Sequence, residues 1–211
     1  MRHRAGGARW LQLFIAQGIA GPLFYAFAAV IGGIAHPGFS HISNAVSELT
    51  ASGAPNQGPL IVAFAVTELQ KIMFGIGVFI AVRGLGKGLV ASAVLMVAIG
   101  ALGLGFVRFP MDQISVPPSF DGRMHIGIVS ISAVLAIATI TLAGVGWRSV
   151  RNAEYLSRLS FVLLAIMLGS GLVSAFVVAN GWPALGVWQR LNIGAFSVWQ
   201  ITTSVHLLYR I

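Results

Sequence analysis

Six apolar stretches alternate with short polar ones along the chain: Leu11–Ala35, Pro59–Val82, Leu89–Val107, Met124–Gly146, Leu159–Ala179 and Trp188–Leu208. Each is about 20 residues or longer, the length an α-helix needs to cross a hydrocarbon core of about 30 Å. The pattern predicts an all-α polytopic membrane protein, a single domain folded as a six-transmembrane-helix bundle. The first stretch follows Arg2, Arg4 and Arg9, a cationic start that also suits a signal peptide. It exceeds the apolar core of about 7–15 residues expected of a signal peptide and reads as a retained span. Gly21-Pro22 near its middle predicts a bend.

The longest polar interruption is His36–Gly58, which contains no Lys or Arg. Ser43 suits the start of a short helix there and Gly53 its end. On that helix Ile42, Ala45, Val46 and Leu49 share one face, and Asn44, Ser47, Glu48 and Ser52 the other. An amphipathic helix of this kind lies along the membrane surface or roofs the bundle.

Composition agrees with the pattern: 57% of residues are hydrophobic and 9% charged, with a mean hydropathy of +0.88. Soluble domains carry roughly 25% charged residues. The net charge of +8 does not indicate nucleic-acid binding, because the basic residues sit in separate loops rather than in one patch. With the N-terminus inside, nine Lys/Arg fall in inner segments (Arg2, Arg4, Arg9, Arg83, Lys87, Arg148, Arg151, Arg158, Arg210) and three in outer ones (Arg108, Arg123, Arg190). That bias predicts a cell-membrane protein with both termini cytoplasmic. The chain has no Cys, which excludes disulfides, thiolate metal sites and Cys nucleophiles.

This topology puts His36, His41, Glu48, Asp112, Asp121 and His125 on the outer face. Two readings stand side by side. In one, the group is a polar pocket for a lipid headgroup or other small polar ligand, with His125 as base or ligand, Asp112 as ligand or orienter, Ser47 as candidate nucleophile, and Glu48, Asn44, Asp121 and Arg123 contributing. His125 and Asp112 would then be candidate Zn²⁺ ligands and the reaction a lipid hydrolysis or transfer. In the other, these groups cap helices, pair with Arg108 and Arg123 and solvate loops. Asp121 and His125 stand four apart, so on one helix the carboxylate would orient the imidazole.

Glu68 and Lys71 differ in kind. Glu68 lies about 14 Å into its span at 1.5 Å per residue, where ionisable groups mark functional sites. Three apart, the two can neutralise one another. They predict either a polar lock between helices, helped by Gln70 and by Asn192, Ser197, Gln200 or Thr203 of the last span, or the ion path of a small transporter or channel subunit. Ala101 with Gly105 and Gly171 with Ala175 are small-residue pairs for close helix packing. Membrane lipids and a homo-oligomer or membrane-protein partner are the expected partners, and a structural membrane protein without chemistry is the remaining alternative.

The first loop reads PGFSHISNAVSELTASGAP, span three ends in FPMD and span four begins RMHIG. Together these resemble DUF998, a family of integral membrane proteins of unknown function. The resemblance runs from about residue 12 to the end. It implies an N-terminal span, a Pro-Gly-aromatic loop leading to Ser-Glu-Leu, a Pro-Asp after span three and a His opening span four. Those features fall on Pro37, Gly38, Ser47, Glu48, Leu49, Pro110, Asp112 and His125.

Overall fold

Each apolar stretch becomes a helix. The computed structural model describes residues 2–113 and 116–211, without the side chains of residues 2–8, so Arg2 and Arg4 of the charge count lie outside the described side chains. The helices are α1 (Arg2–Ile34), α2 (Gln57–Val82), α3 (Lys87–Gly103), α4 (Phe120–Trp147), α5 (Glu154–Ala179) and α6 (Leu185–Leu208). No strand occurs among the described residues. A 3-10 turn, Leu104–Val107, extends α3, and another, Val46–Thr50, lies in the first loop. α1 continues as helix through Pro22.

Five helices are long and apolar enough to cross a membrane: Arg9–Ile34 of α1, all of α2, Lys87–Val107, α4 and α5. The molecule is a multi-pass membrane protein. The expected sixth span, α6, falls short on composition because it carries Gln189, Arg190, Asn192, Gln200, Thr203, Ser204 and His206.

Each helix packs on its neighbours in the chain, and α6 packs on α1, so the six form a closed ring. Small residues set the closest approach. A Cβ on Gly100 of α3 would stand 2.7 Å from the backbone oxygen of Glu68 on α2. The expected pair Ala101–Gly105 does not do this: Ala101 is exposed, while Gly105 faces Ile128 of α4. Gly171 has only Asn192 within 4 Å. Hydroxyls and amides tie the remaining seams. Ser157 donates to the Gly144 carbonyl at 2.6 Å, Ser204 to that of Ile15 at 2.6 Å, and Asn192 to that of Met167 at 2.7 Å. Such bonds hold helices together where water is absent.

The half of the ring near Val82, Leu89, Trp147 and Leu156 is filled by one apolar cluster that includes Phe74, Met96, Ile140 and Trp199. At the other end the first loop folds over the ring. The expected amphipathic helix shrinks to the single 3-10 turn, and Ser43 caps nothing, donating instead to the Pro183 carbonyl at 2.9 Å. Ile42, placed on the apolar face by the helical pattern, is 63% exposed. Contacts with the α5–α6 end shape the loop instead: the Val46 amide donates to Gln189 Oε1 at 2.7 Å, and the Ala45 amide to Glu48 Oε1 at 2.6 Å. Ala45, Val46 and Leu49 are nevertheless buried beneath the loop.

Candidate functional site

The residues expected on the outer face do not gather in one pocket, and Glu48, Asp112 and Asp121 are engaged within their own segments. Glu48 accepts from the Ala45 amide, and its second oxygen from Asn44 Nδ2 at 2.6 Å, so both residues splint their own loop. Asp112 accepts from the Ser119 amide and the Ser119 hydroxyl, each at 2.7 Å. The hydroxyl bond first and the amide bond second hold its carboxyl below the ordinary value of 3.8. Ser119 in turn caps α4 by accepting from the Gly122 amide at 3.0 Å. Asp112 rests against Gly122, where no side chain intervenes.

Asp121 pairs with Arg108 at 3.2 Å at the surface, and Arg123 donates to the Pro118 carbonyl at 2.9 Å. Asp121 therefore does not orient His125, whose Nδ1 bonds the Phe109 carbonyl at 3.0 Å. Among the described residues no three His, Cys, Asp or Glu gather as metal ligands. Both oxygens of Asp112 accept from Ser119, whereas the Nδ1 bond of His125 to a carbonyl is the one a metal-bound imidazole also makes and leaves Nε2 free. His41 is committed: its Nδ1 accepts from Arg190 Nη2 at 3.0 Å. Arg190 also donates to the Asn44 and Gly186 carbonyls and lies over the Phe39 ring, pinning the loop to α6.

Beneath this loop the ring encloses a cavity of about 310 Å³ lined by residues of all six helices. Val46, Ser47 and Thr50 form its roof. The walls are largely apolar, with polar groups from α1 (Tyr25), α2 (Glu68, Lys71), α4 (His125, Ser132) and α6 (Asn192, Ser197, Gln200), while α5 contributes Met167. Four sequence candidates, Ser47, Glu68, Lys71 and His125, thus meet around one space, though by a different route from the one their loops suggested. Thr203 does not line it.

Lys71 Nζ and Glu68 Oε1 are 2.6 Å apart, and Glu68 is 7% exposed. The carboxylate sits against Gly103 of α3, where any Cβ would collide with it. Its other oxygen, Oε2, has no partner, and neither has the buried hydroxyl of Ser132. Gln70, expected to help this pair, donates instead to Gln17 Oε1 at 3.2 Å and joins α2 to α1.

A carbonyl can only accept, so the contact with Phe109 places the proton of neutral His125 on Nδ1 and leaves Nε2 as its acceptor. Ser47 lines the cavity, but its hydroxyl donates to Met111 Sδ at 3.0 Å rather than to a base. Tyr25 and Ser132 were not singled out from the sequence. Ser132 stands seven residues after His125 and Tyr25 four after Gly21, the helical spacings that keep side chains on one face.

A family model described as "Protein of unknown function (DUF998)" matches residues 19–206, nearly the whole chain. Comparisons with curated proteins and with solved structures returned no match. The chain belongs to the DUF998 family.

Proposed function

We propose that this DUF998 member is a six-span protein of the cell membrane, with both termini cytoplasmic, that holds a membrane-derived amphiphile in its interior cavity. The observation that carries this reading is the cavity itself: an apolar space of about 310 Å³ with a few converging polar groups at mid-helix depth. Apolar walls with sparse, placed polar groups are the usual composition of small-molecule sites.

α6 serves as the sixth span because its polar residues turn inward. Gln200, Thr203, Ser204 and His206 are buried, whereas Val187, Leu191, Val198 and Val205 are exposed. Its low hydropathy reflects cavity lining and helix contacts rather than exposure to water. The charge bias of nine inner Lys/Arg against three outer supports the orientation.

Entry from the lipid is supported by Val107 and Val129, which line the cavity yet are 49% and 42% exposed. Val129 lies about 14 Å along α4 from its N-terminus, a depth of acyl chains rather than of water. Transport is the weaker reading, because below Glu68 the ring is packed with Phe74, Met96, Ile140 and Trp199. Hydrolysis is also weaker, since the Ser47 hydroxyl donates to Met111 Sδ rather than to a base.

The test is native mass spectrometry of protein purified in mild detergent, with lipid extraction in parallel. Wild type should carry a bound amphiphile, and Ala65→Trp, which puts an indole into the cavity, should lose it. A bare wild type whose thermal stability ignores added membrane lipid would sink the reading. A reporter fused after Ile211 checks the orientation, and activity on the outer side would reverse it.

A further inference from the structure

This inference rests on the reading of the cavity as a ligand site and concerns the chemistry of the ligand's polar end. The two oxygens of Glu68 have different fates. Oε1 takes Lys71, while Oε2 is buried without a donor. A charged acceptor left unpartnered in a low-dielectric interior is costly, and folded proteins leave few of them. Because Gly103 has no side chain, Oε2 packs directly against α3, where Glu68 and Gly103 together form part of the cavity wall. Lys71 uses one of its three N–H groups on Glu68, and the hydroxyl of Ser132, on the same cavity, has no partner. The site therefore lacks a donor for Oε2 and an acceptor for Lys71 or Ser132.

One small group answers both needs. A hydroxyl donates and accepts, whereas an ammonium only donates and an ether or ester only accepts. An ammonium would also add net charge beside a Glu68–Lys71 pair that already sums to zero, which is expensive at membrane depth. A carboxylate or phosphate would confront the charge of Glu68 with further acceptors. The apolar walls, among them Ile61, Phe64, Ile99, Phe106 and Phe196, suit an aliphatic body.

The geometry points to a neutral long-chain alcohol as the ligand class, its hydroxyl donating to Glu68 Oε2 and accepting from Lys71 or Ser132. Glu68 and Lys71 are then the residues that select the headgroup, and the cavity walls bind the chain without regard to it.

The experiment measures Kd by thermal shift and calorimetry in nanodiscs with four probes of matched chain length: decanol, its methyl ether, decylamine and decanoate. Wild type should bind decanol about tenfold or more tightly than the ether, the margin of a hydrogen bond to a charged group. Glu68→Leu with Lys71→Leu, which replaces the pair by apolar side chains, should bind alcohol and ether equally. Glu68→Gln keeps the shape without the charge and should cut the preference several-fold, and it serves if the double variant does not fold. Equal binding of alcohol and ether by wild type, or preference for the amine or carboxylate, overturns the inference and leaves the cavity reading standing. No binding of any probe, together with no co-purified lipid, overturns both.

Discussion

Phe74 and Phe64 belong to the same helix and meet opposite surroundings. Phe74 has no exposed surface and fills the space that Gly18 of α1 leaves for it, its ring 2.5 Å from where a Cβ would stand. Phe64 lines the cavity, its ring 5.2 Å from that of Tyr25. The difference extends round the ring. In the half near Trp147, small residues face large ones and hydroxyls are spent on carbonyls, as Ser157 is on Gly144 and Ser204 on Ile15. In the half under the first loop the helices enclose space, and Glu68 and Ser132 keep polar atoms unused. That first half is not fully satisfied, since Trp147 Nε1 and His206 Nε2 have no partner, and the pocket at its edge, lined by Arg9, Gln12, Leu13, Ala16 and Leu208, is an open groove rather than an enclosed space. The contrast separates residues that hold the ring from residues available to a ligand.

The most forceful way to break that comparison is to truncate both rings. Phe74→Ala should destabilise the protein by about 3–5 kcal/mol, the cost of a void in a packed interior. Phe64→Ala should cost less than half as much, because its side chain already borders space. Chemical unfolding in detergent measures both, and equal losses would erase the distinction. Glu68→Ala strands a half-buried lysine and should cost about 1–3 kcal/mol. Adding Lys71→Met to that variant should restore most of the loss, and failure to recover would mean that Glu68 has other partners.

Arg190→Ala releases the loop from α6 and should cost about 1–3 kcal/mol. The clearer readout is faster proteolysis within residues 36–58, with the helices still protected. The smallest effect concerns Asp112. Its carboxyl is held below 3.8 in the folded chain, so its stabilisation is complete above that value and disappears as pH falls through the lowered one. Asp112→Asn should be slightly less stable than wild type at neutral pH and should lack that acid-dependent loss in a pH series of melting temperatures.

The helices were legible because an apolar stretch of membrane-spanning length has one dominant solution, an α-helix that satisfies its own backbone. Glu68 and Lys71 were legible for the same reason, being conspicuous where charge is costly. The acids of the polar segments misled. Glu48, Asp112 and Asp121 were grouped as a site would be, but each serves a partner in its own segment, 3, 7 and 13 residues away: Ala45, Ser119 and Arg108. Local capping and a converging site leave the same trace in one dimension. Ser132 and Tyr25 carried only a helical spacing, which cannot say which face of a uniformly apolar helix turns inward. α6 had the opposite problem, since polar residues that face a cavity lower its hydropathy as water-facing ones would.

What the sequence by itself determined is the membrane class, the helical architecture, the family and the presence of one charged pair at depth, because each follows from local composition and from the cost of exposing polar groups to lipid. Only the tertiary structure decided that the ring closes α6 on α1, that the first loop becomes a roof pinned by Arg190, and that Glu68, Lys71, His125 and Ser132 share one space. Those outcomes depend on contacts between residues far apart in the chain, where a glycine such as Gly103 sets how near two helices come and thereby which side chains meet.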